Sequence, residues 1–146
     1  DKDGLIAAVL TEAYDALAER CAAEAAHAKT VEERLQAAAR AYSDFSAAAP
    51  QLFLAMTGPR VNQSGAHKGL EAALARAWRY IAEPIGEGVD AGLFTLGDKR
   101  TAAAIFWGGL VGVLSQAALG RLKLKATERE AFVDVVASRL IAGLTA

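Results

Sequence analysis

Few residues in this chain have the types and spacing that catalysis or metal binding requires. His27 and His67 lie in or beside polar segments, with no cysteine or carboxylate at metal-ligand spacing. Glu32-Glu33 and Glu128 with Glu130 stand where helices are expected to begin, and acids there favour the positive end of the helix dipole. Gly86-x-Gly88 falls inside a proline-containing helical stretch with no strand before it, so it does not read as a phosphate loop. The serines have neither a nucleophile elbow nor a base. The single Cys21 excludes an internal disulfide and fits a reducing compartment. It lies on the apolar side of a helix, as a small buried hydrophobe would. The sequence predicts neither an enzyme nor a resident metal or cofactor.

Binding is the chemistry that remains. Tyr42, Phe45, Phe53, Met56, Trp78, Phe94 and Phe106 sit on different helical segments with inward phase. Taken singly, each reads as ordinary core. As a set they predict an aromatic-lined cavity, because partners such as Ala38, Ala73 and Ala77 leave room to be filled or left hollow. The expected ligand is small and largely uncharged. Tyr42, Asn62, Gln63, His67, Tyr80 and Gln116 are the polar groups available to orient it. Gln116, an amide in an apolar helix, needs hydrogen-bond partners, either from a ligand or from its own symmetry mate.

These residues need a scaffold, and composition specifies it. The 146 residues make one domain with material for a real core. Alanine dominates, β-branched residues are sparse and there are only 3 prolines, so the fold class is all-α. Six helices are expected, at about 3–25, 31–48, 50–56, 66–91, 98–119 and 128–144. Asp3 is the expected first N-cap, and its helix shows an apolar face of Leu5, Ile6, Val9, Leu10, Ala13, Leu17 and Cys21. Thr30 with Glu33, and Thr127 with Glu130, read as capping boxes. Pro50 ends one helix and opens the next, a polar loop spans 60–65, Pro84 should kink the fourth helix, and Gly92 should end it.

The fifth helix centres on Thr101 to Gly120, twenty residues without a formal charge. Its length and apolarity suit a membrane span. Gly108, Gly109, Gly112, Ser115 and Gln116 dilute that apolarity, basic residues flank both ends, and the other helices look amphipathic. The expectation is therefore a core-and-interface helix. Gly108 and Gly112 lie four apart, Ala104 and Ser115 extend the small-residue strip, and such a strip admits a second helix closely. A homodimer is expected. The net charge of -1 predicts no polyanion-binding surface. No basic-then-apolar leader opens the sequence, and the absence of an initiator Met makes a missing upstream part the expectation.

The order of features resembles the TetR family of transcriptional regulators. Asp1-Lys-Asp-Gly-Leu-Ile-Ala-Ala-Val-Leu10 resembles the start of the linker helix that follows the family's helix-turn-helix. Arg34-Leu35, Ala41-Tyr-Ser-Asp-Phe45 and Pro50-Gln-Leu-Phe-Leu-Ala-Met56 are similar to its aromatic-rich helix and the Pro-x-(Leu/Tyr)-(Phe/Tyr)-x-x-Met segment after it. Phe106-Trp-Gly-Gly-Leu-Val-Gly112 resembles the Trp-x-x-x-x-Gly pattern of a penultimate helix. The resemblance implies an effector-binding and dimerisation domain whose DNA-reading helices precede Asp1. It implies that the last two helices pair with their symmetry mates as a four-helix bundle, the last supplying Phe132, Val135, Val136, Arg139 and Leu140. It further implies a small apolar effector bound among the middle helices, contact with operator DNA only through the upstream domain, and a cytoplasmic location away from any membrane. A stand-alone helical dimer that binds an apolar ligand or a protein, without DNA, is the alternative.

Overall fold

The computed structural model describes residues 1–58 and 65–145. Asn62, Gln63 and most of the loop predicted around them lie outside the described residues. Six helices make up the fold, and no strand occurs among the described residues: α1 (Lys2–Ala25), α2 (Val31–Ala48), α3 (Pro50–Thr57), α4 (Lys68–Asp90), α5 (Lys99–Ala118) and α6 (Ala126–Ala142).

Helix ends follow local chemistry, with two corrections. Asp1, not Asp3, caps α1, its carboxylate accepting from the Gly4 N–H at 2.6 Å. α6 begins at Ala126, so Thr127 falls inside the first turn and the box predicted with Glu130 does not form; no side chain caps this helix. The Thr30–Glu33 box does form, Thr30 Oγ1 accepting from Glu33 N at 3.1 Å while Glu33 Oε2 accepts from Thr30 N at 3.4 Å. Pro50 opens α3, and α4 runs through Pro84 without ending there. Gly92 closes α4 at φ +73°, with Leu93 N donating to Gly88 O and Gly92 N to Val89 O. Gly120 repeats the arrangement after α5. Both positions need the left-handed backbone that glycine adopts without strain.

The hub of the bundle is α2, which touches each of the other helices. Its run Ala37-Ala38-Ala39-Arg40-Ala41 lets neighbours approach on several sides, and Leu35, Tyr42 and Phe45 fill the space between them. A polar seam binds α2 antiparallel to α6. Gln36 pairs with Ser138 at 2.9 Å, and Arg40 grips the Asp134 carboxylate with two bonds of 2.9 Å. Arg129 donates to Ser43 Oγ at 2.9 Å, Ser46 Oγ at 2.8 Å and Ser43 O at 3.2 Å.

α1 packs mainly against α4 and α2, burying Ala7, Leu10, Ala13, Leu17 and Cys21. Leu5 and Val9, expected on the same face, point outward at 68% and 48% exposure. Their spacing is helical, but it defines a second stripe beside the buried one. α5 has the length and composition of a membrane span, yet it packs on α2, α3, α4 and α6 and buries Phe106, Leu110 and Leu114 completely. Gly109 accommodates the Leu140 side chain of α6, whose Cδ2 would lie 2.5 Å from a Cβ placed there.

Candidate functional site

A cavity of about 370 Å³ opens among the first five helices. Tyr14 enters it from α1, Tyr42 from α2, and Met56 with Thr57 from the end of α3; Leu74, Ala77 and Trp78 come from α4, and Trp107 from α5. Its volume lies within the range of small-molecule sites. Among the described residues no Asp, Glu, Lys, Arg or His lines it.

Tyr14 Oη donates to the Met56 carbonyl at 2.6 Å, tying α1 to the last turn of α3. Thr57 Oγ1 donates to Phe53 O at 3.0 Å. Tyr42 is 4% exposed. Burial pushes its phenol well above the usual tyrosine range, the nearby Cys21 adds to the rise, and the Trp107 indole N–H directed at its oxygen offsets part of it. Its hydroxyl therefore stays protonated. Trp78 and Trp107 meet edge to face, ring centroids 6.1 Å apart at 84°, the geometry that aromatic quadrupoles favour. Trp78, 39% exposed, stands at the rim.

Three of the eight residues predicted to bind ligand line this cavity: Tyr42, Met56 and Trp78. The other five lie outside its lining. Phe53 and Phe106 are fully buried in the core, Phe45 is buried with the Arg20 guanidinium 6.0 Å from its ring centroid, and Phe94 packs on Gly88 beyond the end of α4. Phenylalanine has no polar tip, so inward phase carries it into the dry interior and not to a wetted wall. Gln116 faces outward on α5 and lies outside the cavity lining. Tyr80 faces two other depressions, one of about 250 Å³ among α1, α2 and α4 and one of about 390 Å³ between α1 and α4, and His67 occupies the N-cap position of α4. Tyr14 and Trp107 are the residues that sequence reasoning missed. Both are amphipathic aromatics next to the main apolar stripe of their helix, and that position is the signal that marks a wall residue.

The strip predicted for a partner chain is open. Ala104, Gly108 and Gly112 are exposed, Ser115 is half-buried, and a Cβ at Gly108 or Gly112 would meet nothing within 4 Å. On α6, Val135 is 59% exposed and Arg139 is exposed, while Phe132 and Val136 are half-buried. Leu140, expected to face a partner, is half-buried and packs over Gly109 of its own chain. Among the described residues no cluster of three or more His, Cys, Asp and Glu is placed to hold a metal.

The model of one protein family, described as tetracyclin repressor-like, C-terminal domain, matches residues 35–140. No curated protein and no solved structure matches the chain.

Proposed function

The chain belongs to the tetracycline repressor-like C-terminal domain family, and from that premise we propose that it senses a small molecule for a transcriptional repressor and holds that repressor together as a dimer. The observation that carries the reading is the cavity itself. Among the described residues its lining is uncharged and aromatic, and it is bounded by α1, which would continue upstream into a DNA-binding domain. In this reading the effector enters between α3, α4 and α5 and displaces the wall that Tyr14 shares with Met56. α1 then moves as a rigid rod and alters the spacing of two upstream DNA-reading heads. Coupling of this kind is typically worth about 1–3 kcal/mol between the two sites.

Dimerisation is the second half of the proposal. α5 and α6 leave an open strip of small residues together with Leu119 and Val135, both at least half exposed. A second copy packed there would complete a four-helix bundle. DNA contact would come only from the upstream domain, since this chain carries a net charge of -1, and a regulator acting on DNA in this way belongs in the cytoplasm. The test is a gel-shift with the chain joined to its upstream region. The expected result is an operator complex that weakens about 5- to 150-fold on adding an aromatic effector, the range such couplings span. A complex that ignores every compound able to enter the cavity overturns the proposal.

A further inference from the structure

Two hollows share the helices α1, α2 and α4. The cavity of about 370 Å³ takes Tyr14, Tyr42 and Ala77 from them, and the depression of about 250 Å³ takes Cys21, Ala38 and Pro84. On α2 the change from one hollow to the other takes a single turn, because Ala38 and Tyr42 are four residues apart and share a face. On α1 the change falls between Tyr14 and Cys21, around the fully buried Leu17; on α4 it falls between Ala77 and Pro84, around the fully buried Ile81. The partition is therefore about one side chain thick, and on α2 that side chain is Tyr42. Behind it the floor of the depression is small: Cys21 and Ala38, both buried, and Ala25. Cys21 lies close enough to Tyr42 to act on its phenol.

We propose that Tyr42 is the length gauge of the effector site: its ring closes the inner end of the cavity against the second hollow and so restricts the site to short ligands. This rests on the reading that the cavity is the effector site. The ring matters because nothing behind it can take its place. With the tyrosine shortened, the next side chains on that path are Ala38 and Cys21, too small to close the gap. The cavity would then run on toward the depression, whose rim carries Arg34, Arg79 and Glu83. Leu17 and Ile81 stay in place on either side, so the space gained is in length and not in girth. A longer apolar chain can occupy it, and each further methylene buried is worth about four-fold in affinity.

The two tryptophans of the chain both line the cavity, so their indole N–H resonances report directly on its contents. Primary alcohols from hexanol to dodecanol serve as probes, since they lengthen one methylene at a time. Titrated into the wild-type chain, they should bind about four-fold tighter per added methylene and then level off at one length. In Tyr42→Ala the gain should continue for about two further methylenes, roughly sixteen-fold in all, while the shorter alcohols bind no better. Ala38→Leu, which fills the depression alone, should leave the wild-type profile unchanged and abolish the extension in the Tyr42→Ala background. A core merely loosened by the loss of the ring would not be restored by a substitution at residue 38. If Tyr42→Ala does not fold, Tyr42→Leu takes its place, with an expected extension of about one methylene. Levelling-off at the same length in wild type and variant overturns the inference and leaves the effector site standing. So does a wild-type series that never levels off, or an extension that survives Ala38→Leu. Indole resonances that no alcohol shifts overturn both.

Discussion

The Phe94 ring lies directly against Gly88, so close that a Cβ at residue 88 would stand 2.3 Å from two of its carbons. Gly88 sits in α4 with ordinary helical backbone, and its carbonyl accepts from Leu93 N at 2.8 Å and Phe94 N at 3.1 Å. One residue thus supplies both the space for the aromatic ring and the acceptor that folds the chain back over it. Gly88→Ala should gain helix propensity of about 1 kcal/mol. Overpacking against a buried, ring-shaped neighbour should cost about 1–3 kcal/mol. Phe94 is 3% exposed and anchored through the backbone, so it has little freedom to retreat and the clash wins. Urea denaturation should show a lower midpoint for the variant.

Gly112 gives the opposite prediction. A side chain there meets nothing within 4 Å of its Cβ in the isolated chain, so Gly112→Leu removes the helix penalty of glycine without creating a clash. The folded monomer should be as stable as the wild type or slightly more so. If α5 packs on its symmetry mate along this strip, the same side chain wedges the two helices apart. Light scattering should show a wild-type dimer and a variant shifted toward monomer at micromolar concentration. A monomeric wild type would remove the interface.

Much of the fold was legible because helix formation is local. Alanine content, the Thr30–Glu33 box, Pro50 and the glycines at 92 and 120 each act over a turn or less, and the structure follows them. What sequence could not rank is tertiary position. The stripe containing Leu5 and Val9 has the same period as the one containing Leu10 and Leu17, and only packing against α2 and α4 separates them. The same limit applied to the site: seven apolar residues shared an inward phase, but depth divided them, with Tyr42 and Met56 at the wall and Phe53 and Phe106 behind it. The central place of α2 was concealed by its two arginines, which pair across helices instead of marking a solvent face. Arg40 meets Asp134, and Arg34 meets Glu87.

The α2–α6 seam makes a third prediction. Arg129 is partly desolvated, which lowers its pKa, and its three protein acceptors are neutral serine and carbonyl oxygens. Ser43 and Ser46 are 3% and 1% exposed. Removing the guanidinium leaves buried hydroxyls short of a partner, so Arg129→Met should destabilise by about 1–3 kcal/mol even though it trades a cation for an apolar chain. Ser46 Oγ can still donate to Ser43 O at 2.9 Å, which keeps the loss toward the lower end. In a double-mutant cycle Ser46→Ala should cost less in the Arg129→Met background than in the wild type, because their shared bond is already gone. Strict additivity would show that the seam contributes no coupling.

Alkaline pH should probe the wall between α1 and α2. Burial, assisted by Glu24, pushes the Cys21 thiol from 9.0 up to about 12, and burial raises Tyr42 in the same direction. For both groups the neutral form is favoured in the folded chain, so above the unfolded pKa the unfolded chain holds fewer protons than the native one. The slope of unfolding free energy with pH is then negative. The stability Cys21 contributes is fully present below pH 9.0 and is lost as pH rises from there toward about 12, while that of Tyr42 begins to be lost only above pH 10.0. Each group in its window contributes a slope of up to about 1.4 kcal/mol per pH unit. Cys21→Ala should flatten the onset just above pH 9.0, and Tyr42→Phe should remove the later part. The thiol, 1% exposed, should ignore a disulfide reagent at pH 8 until denaturant is added. Rapid labelling of the native chain would show that the α1 wall opens on its own, and the alkaline profile should then lose its dependence on Cys21.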